Sequence, residues 1–288
     1  MALPLGRLAR ELYRRERIPP LALWWLAADG MAWWFGVLRR GLTEPLGSRD
    51  AAELAIARAA GQAYARRFEI LRGAFPALPD DPAKVFGALG FVAARPRSSW
   101  VFAEVRGRVP RTPRDGLAAL ASIRSMPLLE RWREVTTHLG EVLIQLTRDL
   151  DRDVSHANAI LGRICFEGGR RAGERAKAAF GLRDSPESAI EVLRMSEYVF
   201  RVNPEHWHAT DVAAQTGYLE GTACPWYTAP GWSMMHCGIF GQFQSGICSV
   251  FGLRYHLTET IPRHGGTTCR IDLKPIRRKD GTPIRARP

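Results

Sequence analysis

Gly217-Tyr-Leu-Glu-Gly-Thr-Ala223, Leu253-Arg-Tyr-His-Leu-Thr-Glu259 and Cys269-Arg-Ile-Asp-Leu273 are three short runs that read as strands. Their β-branched, aromatic and aliphatic residues are interleaved with polar ones, as half-buried strands require. Between the first two lies residues 232–251, an apolar and glycine-rich stretch read as a helix. Between the last two, Gly265-Gly266 supplies the freedom for a tight turn, giving strand, turn, strand. Most of the preceding chain reads as helix. The expected class is therefore α+β, with a helix-rich N-terminal half and a C-terminal antiparallel sheet packed with helices.

Working outward, Ser185-Pro186 opens a helix expected over Pro186–Met195, followed by mixed strand and loop around Glu205-His206-Trp207-His208. Residues 158–180 read as a helix whose Gly162, Gly168, Gly169 and Gly173 mark close helix packing or a break. Residues 115–150 are helical with an interruption at Pro127, and Ser48 caps a helix running to Phe68. Trp100–Val109 alternates as a strand. The expected divisions are a Trp-rich basic helical segment (1–45), a helical region (46–150), an α+β ligand or catalytic domain (151–274) and a mobile basic tail (275–288). A faint echo links Asp81-Pro82, Phe91 and Trp100 to Ser185-Pro186, Tyr198 and Trp207. It reads as a degenerate repeat or as coincidence in an Ala/Arg-rich chain.

Residues 21–38 hold four tryptophans in an apolar run flanked by arginines. Three readings stand: a spanning helix, a helix lying in a membrane interface, or a buried docking or dimer-contact helix. The partner expectations are peripheral membrane contact through 21–38, a homodimer and a small-molecule substrate. The net charge of +12 comes almost wholly from arginine, with only four lysines among the 41 basic residues, so a high-GC codon bias explains it as well as an anionic partner does. Scattered arginines without a helix-turn-helix, zinc-finger or RNA-binding signature argue against nucleic acid. Five cysteines without a cleaved leader predict free thiols and a cytoplasmic location, with membrane association left open by the Trp-rich run.

Four of the five cysteines fall after residue 220: Cys224, Cys237, Cys248 and Cys269. Their spacing lacks the close pairs of zinc fingers. Convergence through the fold leaves zinc or another divalent metal as a candidate cofactor, with Cys237 and Cys269 as the ligands proposed, and Glu259 and His236 nearby in sequence. Cys248 reads as a core residue. A thiol nucleophile is the competing chemistry. Cys224 ends a strand before Pro225, and His206 or His208, taken to lie on opposite faces around Trp207, would activate it. Glu259 is the acid/base candidate. Trp207, Trp226, Tyr227, Trp232, His236 and His264 are the expected substrate-binding residues, the aromatics walling an apolar pocket.

The arrangement from Trp207 onward resembles the L-2-amino-thiazoline-4-carboxylic acid hydrolase family, and more distantly the 4-vinyl-reductase-type ligand-binding domains. The matching features are Trp207, a strand ending at Cys224, Cys237 opening a helix, and a hairpin carrying Thr258, Thr260, Gly265, Gly266 and Cys269. The resemblance covers residues 185–274, roughly a third of the chain. It implies a hydrolase acting on a C–N bond of a cyclic or amide-like substrate; the alternative is a non-catalytic small-molecule-binding domain with a structural metal. Phe240 stands where the family has an aspartate, Leu257 where it has an arginine, and the hairpin is one residue longer. The fold is what the resemblance implies most directly, since these departures fall on side chains and one connection.

Overall fold

A computed structural model describes residues 4–90 and 113–277; the strand expected at Trp100–Val109 and the tail beyond Arg277 lie outside them. In chain order the helices are α1 (Pro4–Arg14), α2 (Pro20–Leu42), α3 (Arg49–Ala74), α4 (Pro82–Leu89), α5 (Pro113–Ser122), α6 (Leu128–Asp153), α7 (Ala157–Phe180) and α8 (Pro186–Phe200). Strands β1 (His206–Asp211) and β2 (Thr216–Gly221) follow, then α9 (Met234–Ser249), β3 (Leu253–Glu259), the one-turn α10 (Ile261–His264) and β4 (Cys269–Pro275). This is the α+β class read from the sequence, helical in the N-terminal half with an antiparallel sheet after it. Local chemistry sets the boundaries. Ser48 and Ser185 accept hydrogen bonds from the backbone N–H of Ala51 (3.1 Å) and Ser188 (3.2 Å), satisfying donors of the first turns of α3 and α8. Pro127 immediately precedes α6, where a missing N–H costs nothing.

The chain divides into two compact units, Pro19–Ile160 and a discontinuous one of Met1–Ile18 with Leu161–Pro288. In the first, α2 packs against α3 and α6. Among the described residues α2 alone is long and apolar enough to cross a membrane, yet half of that stretch is buried within the protein. Trp24, Ala27, Met31, Phe35 and Leu38 form its buried face, and the Trp24 indole donates to the Leu89 carbonyl at 2.9 Å. Helix α6 buries a polar stripe, Glu134, His138, Glu141 and Gln145, at spacings of one helical face. Arg67 binds Glu134 through two bonds of 2.8 and 2.6 Å. His138 stacks on Tyr64 at 4.0 Å, and burial pushes its imidazole down to about 3, so it is neutral.

In the second unit the sheet order is β1-β2-β4-β3, antiparallel throughout. Its inner face, with α8 and α9, forms a core of Ile190, Leu193, Leu219, Ile247, Phe251, Ile271 and Leu273, and Cys248 is fully buried there. Two expectations change. The β3–β4 connection is the helical turn α10, ended by Gly265 at φ 65°, instead of a tight Gly-Gly hairpin. Pro275 belongs to β4, and the Ile276 N–H donates to the Gly252 carbonyl at 2.9 Å, so the chain stays ordered past the expected start of the tail. Helix α1 is fastened to α8 by Arg10, which gives Glu191 bonds of 2.5 and 2.7 Å.

The glycines of α7 serve close packing. A Cβ on Gly169 would overlap the Phe243 carbonyl of α9, and one on Gly246 of α9 would overlap the Phe166 carbonyl of α7. A Cβ on Gly173 would lie 3.2 Å from the Ile247 Cα, a tight approach though not an overlap. Backbone thus meets backbone along this crossing. Gly246→Ala is expected to destabilise the protein by about 1–3 kcal/mol in urea unfolding, the usual range for overpacking. Gly238→Ala, whose Cβ would meet nothing within 4 Å, should instead be neutral or stabilising by about 0.5–1 kcal/mol.

Candidate functional site

The second unit contains a cleft enclosing about 540 Å³, its open mouth included. Residues of α9 three and four apart, Cys237, Phe240 and Gln244, fall on one helix face and form one wall. The sheet forms the opposite wall because alternate strand residues share a face. Leu219, Ile271 and Leu257 stand side by side across β2, β4 and β3, with Tyr255 and Cys269 beside them. The β2–α9 connection adds Cys224, Trp226 and Trp232. Trp226 is buried at the centre of the aromatic group, 5.3 Å from Trp232 and edge-on to Phe240 at 4.9 Å. A bulge at Thr258, between the pairs Leu257↔Ile271 and Glu259↔Arg270, turns the end of β3.

One end of the cleft is polar. Glu197, on α8 and buried, accepts hydrogen bonds from Asn203 Nδ2 (3.2 Å), Gln244 Nε2 (3.0 Å) and Arg194 Nη1 (2.8 Å). Tyr255 in turn donates to Gln244 Oε1 at 2.7 Å. Arg194 continues the chain to the Asn203 carbonyl (3.0 Å) and to Glu16, which follows α1. Asn203 adopts φ 50°, which asparagine tolerates better than most residues, and its side chain occupies the space a Cβ on Gly221 would take. Burial raises the Glu197 carboxyl to about 7, against the opposing pull of Arg194, Asn203 and Gln244.

Three thiols line the same cleft, and no disulfide joins any of the five cysteines. Burial pushes Cys224 up to about 12, although backbone hydrogen bonds from Trp226 and Tyr227 favour its thiolate. Burial also raises Cys237 and Cys269; Trp232 Nε1 donates to Cys237 Sγ at 3.2 Å and the Ile261 N–H to Cys269 Sγ at 3.3 Å. Among the described residues no group of three or more His, Cys, Asp or Glu side chains is gathered to hold a metal ion, so Cys237 and Cys269 lack the companions a zinc site needs.

Of the residues expected from sequence, Cys224, Trp226, Trp232, Cys237 and Cys269 come together in the cleft. The others stand elsewhere. His206 and His208 stack at 5.7 Å with rings 9° apart, so they share one face, as residues two apart in a strand must; the expectation of opposite faces was a misreading of the pleat. Neither lines the cleft. Trp207 is opposite Glu220, exposed on the outer face of the sheet, and Glu259 is exposed opposite Arg270. Tyr227 is exposed. His236 caps α9, accepting from the Ser233 N–H at 3.1 Å, and stacks on Trp232; His264 accepts from the Thr260 N–H at 3.1 Å within α10. The residues missed are Glu197, Asn203, Gln244 and Tyr255. The helix continues five residues past its expected end at Met195. Extended that far, it puts Glu197 four and seven residues after the buried Leu193 and Ile190, a charge on an apolar face.

No family model matches the chain, and neither a characterised protein nor a solved structure is detectably similar to it.

The raised Glu197 carboxyl has a signed consequence. The folded state holds this proton more tightly than the unfolded state, so the contribution is complete below about pH 4.5 and lost as pH rises toward 7. The loss amounts to at most about 3 kcal/mol. Urea unfolding of the wild type and Glu197→Gln between these limits should show the wild type losing stability relative to the variant. A difference independent of pH would mean that the carboxylate remains ionised throughout.

Proposed function

We propose that the sheet-containing unit binds a small, largely apolar molecule of about aromatic-ring size in this cleft. The observation that carries the reading is the composition of its lining. Trp226, Trp232 and Phe240 line it together with Leu219, Leu257 and Ile271, and Glu197, Asn203, Gln244 and Tyr255 form one hydrogen-bonded polar cluster in its wall. Concave apolar sites with a few oriented polar groups are the usual form of small-molecule sites. This is the binding alternative drawn from the family resemblance, without its structural metal.

The second reading is hydrolysis of a C–N bond with Cys224 as nucleophile. It is favoured by the backbone hydrogen bonds that Trp226 and Tyr227 give the Cys224 sulfur, a setting that also suits an oxyanion. Burial works against it by holding the thiol protonated near neutral pH. The cleft lining, moreover, offers no imidazole to take the proton.

Calorimetric titration of the full chain with benzamide tests the binding reading. Saturable one-to-one binding is expected, weakened at least ~10-fold by Cys237→Phe, which fills the cleft. Binding unaffected by that substitution, or none in the wild type, would overturn it. Alkylation by iodoacetamide separates the second reading: Cys224 in the folded protein should react at least ~10-fold more slowly than in urea, whereas an activated nucleophile would react faster.

A further inference from the structure

We infer that the cleft selects uncharged or basic ligands presenting an N–H donor toward Glu197, and rejects carboxylates. This deepens the binding reading above and rests on it. Among the described lining residues Glu197 is the only charged side chain, and no lysine, arginine or histidine joins it. Arg194 is not a lining residue; its Nη1 is committed to Glu197 and the Asn203 carbonyl and its Nη2 to Glu16. Its Nε is buried without a partner but lies outside the lining.

The directions of the hydrogen bonds point the same way. An ionised carboxylate has about four lone-pair positions. Three are occupied, by Asn203, Gln244 and Arg194, which leaves about one for a ligand donor. The Tyr255 hydroxyl donates to Gln244, so the oxygen it keeps available is an acceptor. A ligand at this end meets these acceptors and the second amide N–H of Asn203 and Gln244, but no cation. A ligand carboxylate would add a second negative charge beside a buried one, with no counter-charge in reach and its hydration lost. A ligand N–H, and above all a cationic one, completes the shell of Glu197. Specificity here comes from the repulsive element as much as from the attractive one.

Three probes of nearly equal size decide it: benzamidine, benzamide and benzoate, titrated calorimetrically into the full chain near pH 7.5. Benzamidine and benzamide are expected to bind, each at least ~10-fold tighter than benzoate. Glu197→Gln should bring benzamidine and benzoate within ~3-fold of each other. If that variant does not fold, Leu257→Lys, which introduces a cation into the lining, should raise benzoate affinity at least ~10-fold. Benzoate binding as tightly as benzamide in the wild type, or a preference for benzamidine that survives in folded Glu197→Gln, would overturn the inference alone. So would exclusion of benzoate by Leu257→Lys. Failure of all three probes to bind the wild type would overturn the binding reading and this inference with it.

Discussion

A carboxylate buried with 2% of its surface exposed must be compensated or neutralised, and the compensation of Glu197 organises the unit around it. Each partner arrives on a different segment: Arg194 one turn earlier on α8, Asn203 after that helix, and Gln244 on α9 with Tyr255 of β3 behind it. The hydrogen bonds fix the separation of α8 from α9 and the approach of β3. They also dictate conformation locally. Asn203 reaches the carboxylate from a left-handed backbone position, and Gly221 on the neighbouring strand lacks the side chain that would block it. Losing one of the three partners would leave the buried carboxylate under-compensated, and such clusters are costlier to break than to omit.

The cleft also depends on a contact with no polar content. The crossing of α7 and α9 is set by Gly169 and Gly246, where each helix presents backbone to the other. The opposite side of α9 carries Cys237, Phe240 and Gln244 into the cleft. The depth of that wall is therefore set from behind, by two residues without side chains. The buried aromatics and the three thiols then fill the remaining volume with soft, polarisable groups that carry no charge at neutral pH.

Periodicity and capping made the architecture legible. Ser48, Pro127 and Ser185 mark helix starts through local chemistry, and the strand expected near Leu253–Glu259 is β3. The cysteines and tryptophans of the cleft were legible because those residue types are rare. The polar end was not. Glu197, Asn203, Gln244 and Tyr255 are ordinary residues, and their importance arises from burial and mutual geometry across separations of up to 58 positions in the sequence. His206 and His208 show the reverse error: rare, chemically suggestive residues drew attention, and they do share the face of Leu219, but β1 is an edge strand beyond β2, and neither residue lines the cleft. The turn after β3 was misjudged because Gly265-Gly266 signals reversal in a hairpin and helix termination equally well.

The discontinuity of the second unit has a consequence for the order in which the protein is assembled. Residues 1–18 belong with 161–288, yet residues 19–160 are synthesised between them. At ~5–20 residues per second, α1 waits roughly 9–37 s before α8 is complete and can receive it. Over that interval Arg10 has no Glu191 and Tyr13 no Phe180. Residues 19–160 can bury their own core meanwhile, and closing the long intervening loop adds little entropic cost beyond that of a shorter one. Docking of α1 therefore cannot precede the synthesis of α8, and the Arg194 charge cluster is completed when the early-made Glu16 reaches it.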